Sequence, residues 1–319
     1  MRTRTGFITA ALFFLTVNLL QAQTIENLQE SIYELCSWKM ARESRNSYGV
    51  TPTTNFVERK MAECSLKTFG QNYRQYFTSD GIKGVNVIGM LEGYRTVANY
   101  KYVIVGTHFN NIGILDRKLY PCADYNASGM AAMLEIARMF RQQRENGTMY
   151  NTNIIFVVFD RFPEGRLGST FLWNLIANFG LLDPISHFSI PADRIKAMIY
   201  IDQIGCTLAP VNKDREDYII ALGEKSLPIY RQGVLSQCNA DYGIGLEIND
   251  SYYGSANFTK TFYRWGDQRP FVDHNVPTML FTSGITDNNN TTKDTPDTIN
   301  WEIFRKRTEL IFRFIEKLL

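Results

Sequence analysis

The chain has 319 residues, 45% hydrophobic and 21% charged, with a formal net charge of +2. That length holds one large α/β domain or two small ones, and the composition is ordinary for a globular protein. The near-neutral balance and the lack of a basic stripe remove nucleic acid as an expected partner. In chain order, Arg2 and Arg4 precede an apolar stretch from Phe7 to Leu20, followed by Gln21-Ala22-Gln23. This pattern predicts a signal peptide over residues 1–22, with cleavage after Ala22, and an exported mature chain, periplasmic or extracellular. The stretch is too short and wrongly flanked for a membrane span. No cysteine sits at the cleavage position, so a bacterial lipid anchor is not expected.

Residues 23–80 read as an N-terminal helical lead-in, with helical patterns from Thr24 to about Arg45 and from Asn55 to Phe69. Val85 to Glu92 and Lys101 to His108 read as strands. Asn126 to Arg144 is a predicted helix, with Met130, Met133, Leu134, Ala137 and Phe140 at helical spacing and Asn126 or Ser128 as the expected cap. Asn153 to Asp160 is a continuous apolar run, as in a strand buried on both faces. A helix over Gly168 to Phe179 follows, then a strand from Ile195 to Ile201 ending at Asp202. Tyr218 to Leu222 is a strand, Leu227 to Cys238 a helix, and Thr278 to Thr282 a strand. Asn300 to Leu319 is an amphipathic terminal helix carrying Trp301, Phe304, Ile311, Phe314 and Leu318. Strands alternating with helices predict a single α/β domain over 23–319, with a mixed, mostly parallel central sheet flanked by helices on both faces.

Five cysteines, Cys36, Cys64, Cys122, Cys206 and Cys238, leave at least one free thiol. Export permits disulfides, and a bridge between Cys36 and Cys64 is one outcome the two lead-in helices allow. Cys122 and Cys206 read as small buried apolar residues rather than thiolate ligands.

The strand V-I-V-G-T-H (residues 103–108) ends in a histidine, and P-C-A-D-Y-N-A-S-G (121–129) brings an aspartate to a helix start. Both fall at the C-terminal edge of the sheet, where open α/β folds bind ligands. With F-D-R-F-P-E-G-R-L-G-S (159–169), I-D-Q-I-G (201–205), D-Q-R-P-F (267–271) and N-T-T-K-D-T-P-D (290–297), these segments resemble, in order, the motifs of the zinc aminopeptidase family. That family includes the glutaminyl cyclases and the transferrin-receptor ectodomain. The resemblance runs from about Val85 to the C-terminus and implies the zinc-exopeptidase, or phosphorylase/hydrolase-like, fold. It also implies His108, Asp124 and Asp202 as ligands of one metal ion, with a cis peptide after Asp124.

The same comparison marks departures. The family's paired glutamates, one a general base and one a metal ligand, align with Phe162 and Pro163, and Glu164 falls one position beyond as a displaced candidate for the base. The last metal histidine aligns with Asn290. The histidine of D-H-x-P-F aligns with Gln268, and the aspartate after the first histidine with Asn110. One three-ligand site could therefore hold a single zinc ion, or none, while the second site lacks two of its ligands. His274 and His187 are the only other histidines, and a lone histidine or a helix-start aspartate also has a purely structural reading. Loss of a general base costs about 10²- to 10⁴-fold in rate. Three readings follow: an exported family member with a degenerate centre that binds peptide ends or another small ligand, a working single-metal aminopeptidase, or a non-enzymatic interaction domain. The oligomeric state is not legible.

Overall fold

The computed structural model describes residues 21–43, 52–94, 100–109 and 112–319. Residues 1–20, and with them nearly all of the expected signal peptide, lie outside the described residues, as does Asn110. Residues 21–35 are helical (α1), followed by α2 (Trp38–Glu43) and α3 (Pro52–Glu63). The continuous helix expected up to Arg45 therefore breaks at 36–37. Ser37 causes a restart: its Oγ accepts the Met40 N–H at 3.3 Å, a helix N-cap bond.

The lead-in is not wholly helical. β1 (Lys67–Thr68) and β2 (Arg74–Ser79) both pair antiparallel with β3 (Ile82–Leu91). The β2–β3 hairpin turns through Asp80 and Gly81, both at positive φ, which is the Asp-Gly signal of a two-residue hairpin.

The remaining strands are β4 (Tyr102–His108), the hairpin pair β5 (Gly113–Leu115) and β6 (Lys118–Tyr120), β7 (Asn153–Phe159), β8 (Ile195–Asp202), β9 (Tyr218–Leu222), β10 (Glu247–Asn249) and β11 (Thr278–Thr282). The large sheet runs β1-β3-β7-β4-β8-β11-β9-β10. Its centre, β7-β4-β8-β11, is parallel. The joins of β3 to β7 and of β9 to β11 are antiparallel. The sheet is mixed as expected, with its parallel character concentrated in the middle.

Strand alternation divides the core in two. Val103, Val105, Phe156, Val158, Ile199 and Ile201 face one side. There they pack under α4 (Gly129–Glu145) and α9 (Trp301–Leu318). Ile104, Ile155, Val157, Phe159, Met198 and Tyr200 face the other. There they meet α5 (Leu167–Ala177). The even-numbered residues of β4 and β8 thus carry His108, Tyr200 and Asp202 toward the α5 side at the strand ends. α6 (Val234–Asp241) begins later than expected, because Pro228 and the positive φ of Gly233 delay regular helix. α7 (Ala256–Tyr263) and α8 (Arg269–Asp273) complete the wall on the site side. No helix among the described residues is long and apolar enough to cross a membrane. All five cysteines are free, so the Cys36–Cys64 bridge does not form; both are buried thiols.

Candidate ligand site at the strand ends

His108 is fully buried at the end of β4. Its Nδ1 lies 2.6 Å from the Tyr200 hydroxyl, and its ring stacks on Phe162 at a centroid distance of 4.5 Å. The Asn126 Oδ1 accepts the Gln203 N–H at 2.9 Å. Its Nδ2 donates to Thr107 Oγ1 at 2.8 Å and to the His108 carbonyl at 3.2 Å, and lies 3.2 Å from His108 Nδ1. Nδ1 is thus held between the Tyr200 hydroxyl and the Asn126 amide. Burial pushes the imidazole down to about 3, so it stays neutral. Nε2 is buried without a partner. Tyr200 also donates toward Asp267 Oδ2 at 3.5 Å, and Asp267 Oδ1 accepts the Ser169 hydroxyl at 2.6 Å.

Asp124 sits in an irregular loop before α4. The loop contains one cis peptide, at Tyr125–Asn126, one bond later than expected. Its carboxylate is fully engaged. Oδ1 accepts from Gly205 N (2.7 Å), Cys206 N (3.2 Å) and Ser128 Oγ (3.1 Å), and Oδ2 accepts from the Cys206 thiol at 2.8 Å. Asp294 in turn accepts the Asp124 and Tyr125 N–H groups at 2.7 and 3.0 Å. The expected cap of α4 is not made by either candidate. Asn126 serves His108, and Ser128 Oγ donates to the Asp124 carbonyl at 2.7 Å. Gly129 fits this crowding, since a Cβ there would lie 2.3 Å from Asn126 Oδ1.

Asp202 ends β8 with Oδ1 buried and unpartnered. Its carboxyl is raised to about 7, first by burial and then by the charges of Asp124 and Asp267. The three expected ligands share one edge of the sheet. Among the described residues, no group of three or more His, Cys, Asp or Glu side chains is placed to hold a metal ion. Glu164 is exposed and paired with Arg161 at 3.1 Å. Pro163 beside it is exposed.

Next to Asp202 lies a cavity of about 150 Å³ whose wall includes Tyr125, Tyr200, Tyr252, Phe262 and Trp265. Gln268 and Asn290, two positions of family departure, also line it. Gln268 is fully buried; its Nε2 donates to the Tyr263 carbonyl at 2.9 Å, leaving Oε1 unpartnered. Sequence reasoning missed Tyr200, although its spacing of two from Asp202 in a strand puts both on one face. The aromatic wall carried no periodic signal, because its residues come from the loop before α4, strand β8, α7 and irregular connections.

A mixed sheet with its candidate site at the C-terminal ends of parallel strands, beside the loop that begins a long helix, is the arrangement in which open α/β folds bind ligands. The family model for peptidase family M28 matches residues 86–315, and the chain belongs to that family. Among solved structures, it is similar to the LapA aminopeptidase of Legionella pneumophila, with TM-score 0.67, 16% identity, and coverage of 95% of this chain and 74% of that one. It is also similar to the glutaminyl cyclase of Porphyromonas gingivalis, with TM-score 0.62, 16% identity and coverage of 92% and 98%. A third similar structure is BSAP, a zinc aminopeptidase from Bacillus subtilis, with TM-score 0.54 and 16% identity; 75% of this chain covers 50% of that one. At such identities the likeness is one of fold. No curated protein matches the sequence.

Proposed function

We propose that this family M28 chain is an exported binding protein that does not hydrolyse peptides, and that it holds a peptide end or another small ligand in the cavity beside Asp202. The observation that carries this reading is Phe162. It stands where the family motif puts the general base, and its ring covers the His108 imidazole. A phenyl ring can neither take a proton from water nor offer a lone pair to a metal ion.

The residues present do not fit a zinc ion such as that of the similar aminopeptidase from Bacillus subtilis. The Asp124 oxygens are taken by two backbone N–H groups, a hydroxyl and a thiol. Pro163 and Asn290 supply no anionic or imidazole ligand in place of the family's glutamate and histidine. No catalytic step is assigned to Glu164. Export rests on the leader pattern in residues 1–22.

The test is turnover of alanine and leucine anilides by the purified chain with zinc, manganese or cobalt added. The expected result is none above background. The triple variant Phe162→Glu, Pro163→Glu and Asn290→His restores the missing side chains, and any hydrolysis it gains supports descent from an active enzyme. Wild-type turnover that disappears in His108→Ala overturns the reading in favour of a single-metal aminopeptidase. Failure to bind any small ligand would instead leave an interaction domain.

A further inference from the structure

We infer that the cavity beside Asp202 takes an organic cation of the alkylammonium class, its head group enclosed by aromatic rings. This deepens the proposed binding function and rests on that reading. Five aromatic side chains, Tyr125, Tyr200, Tyr252, Phe262 and Trp265, line the cavity, and Tyr252 and Phe262 stack at 4.0 Å. Aromatic faces attract cations through the ring quadrupole, and enclosure by several rings is how quaternary ammonium groups are recognised.

The polar groups of the wall give the same answer independently. Its two unpartnered buried atoms, Asp202 Oδ1 and Gln268 Oε1, are both acceptors. Other polar side chains of the wall make contacts within the protein. The Gln203 amide donates to the Gly284 carbonyl at 2.5 Å and accepts from Asn289 at 2.6 Å. Thr282 Oγ1 accepts the Gly284 N–H, and the Tyr252 oxygen accepts the Ile285 N–H at 2.7 Å. Among the described residues, no lysine, arginine or histidine lines the cavity. Arg166 donates to the Trp265 carbonyl at 3.1 Å and is not part of the wall. A carboxylate or phosphate would bring its charge against the Asp202 carboxylate. A neutral alkyl group would leave two buried acceptors without partners, and leaving such groups unpaired is what makes a site reject the wrong ligand. An alkylammonium satisfies both the rings and the carboxylate.

The experiment compares choline with its uncharged isostere 3,3-dimethyl-1-butanol, by calorimetry and by the fluorescence of Trp265, on the full mature chain. Choline should bind at least about tenfold more tightly than the isostere. Asp202→Asn, nearly the same shape, should remove most of that preference while leaving the isostere's affinity unchanged. Trp265→Ala, at a half-exposed position where folding is not at stake, should weaken choline binding by a similar factor. Equal affinity for the two probes, preference for acetate over choline, or no heat with choline at about 10 mM overturns the inference. A panel of peptides with free and acetylated amino termini separates the two layers. Tight binding of acetylated peptides without choline binding keeps the binding function and removes the cation. Choline binding together with metal-dependent hydrolysis keeps the cation and removes the non-hydrolytic reading.

Discussion

The carboxylate of Asp124 ties the loop after β8 to the loop before α4, through Gly205 N, Cys206 N, Ser128 Oγ and the Cys206 thiol. Asp124→Ala would leave two buried N–H groups without acceptors and should cost on the order of 3 kcal/mol. Asp124→Asn keeps one carbonyl oxygen and should cost less. Thermal melts of both variants, with and without a chelator, check this; a wild-type melting temperature that falls on chelation would instead mark Asp124 as a metal ligand. Asp267 gives a pH-dependent outcome. Burial raises its carboxyl to about 7, against about 4 in an unfolded chain. Between these values the folded state holds the proton more tightly. The stability linked to this group is therefore fully present below the unfolded value and is lost as pH rises through about 7. Asp267→Asn removes that slope, so the variant should gain on the wild type as pH increases from 4 to 7, by at most about 1.4 kcal/mol per pH unit. A constant offset across that range contradicts the assignment. The sequence located Asp124, Asp202 and His108 at one sheet edge, because strand ends and motif order carry that information. It could not show which N–H groups Asp124 accepts, since those donors lie more than eighty residues away in Gly205 and Cys206.

Arg307 fastens α9 to the sheet. It is fully buried and donates to the carbonyls of Tyr218 (2.7 Å), Ile204 (2.9 Å) and Cys206 (2.6 Å), with its guanidinium 4.7 Å from the Tyr218 ring centre. Arg307→Ala should destabilise by on the order of 3 kcal/mol, read from denaturant unfolding. Arg307→Lys should recover little, because one ammonium cannot reproduce a planar fork over three carbonyls. Full recovery by lysine would show that charge alone matters there. The strands β4, β7, β8, β9 and β11 were legible to within a few residues. Each is an apolar run buried on both faces, and only that environment tolerates such a run. β1, β2, α7 and α8 were not legible. They are short, their pattern is not periodic, and their form depends on partners elsewhere in the chain. The first helix was read as continuous because Ser37, a helix interior residue by position, acts as a cap.

The molecule joins an M28 fold to a strand-end site in which aromatic and amide side chains stand where the family motif has carboxylate and imidazole. The fold was legible because the order of six short segments fixes the topology. The cavity was not, because its wall is assembled from β8, β11, α7 and the loops between them. In the family arrangement, loss of a general base and of a second ion removes two separate contributions to the barrier, the first about 10²- to 10⁴-fold and the second several kcal/mol. Binding of a cation in the cavity needs neither. The most direct measurement is the zinc content of the purified mature chain after dialysis against excess zinc and then buffer. Far less than one ion per chain is expected, unchanged in His108→Ala; one zinc per chain, lost in His108→Ala, would contradict the binding function.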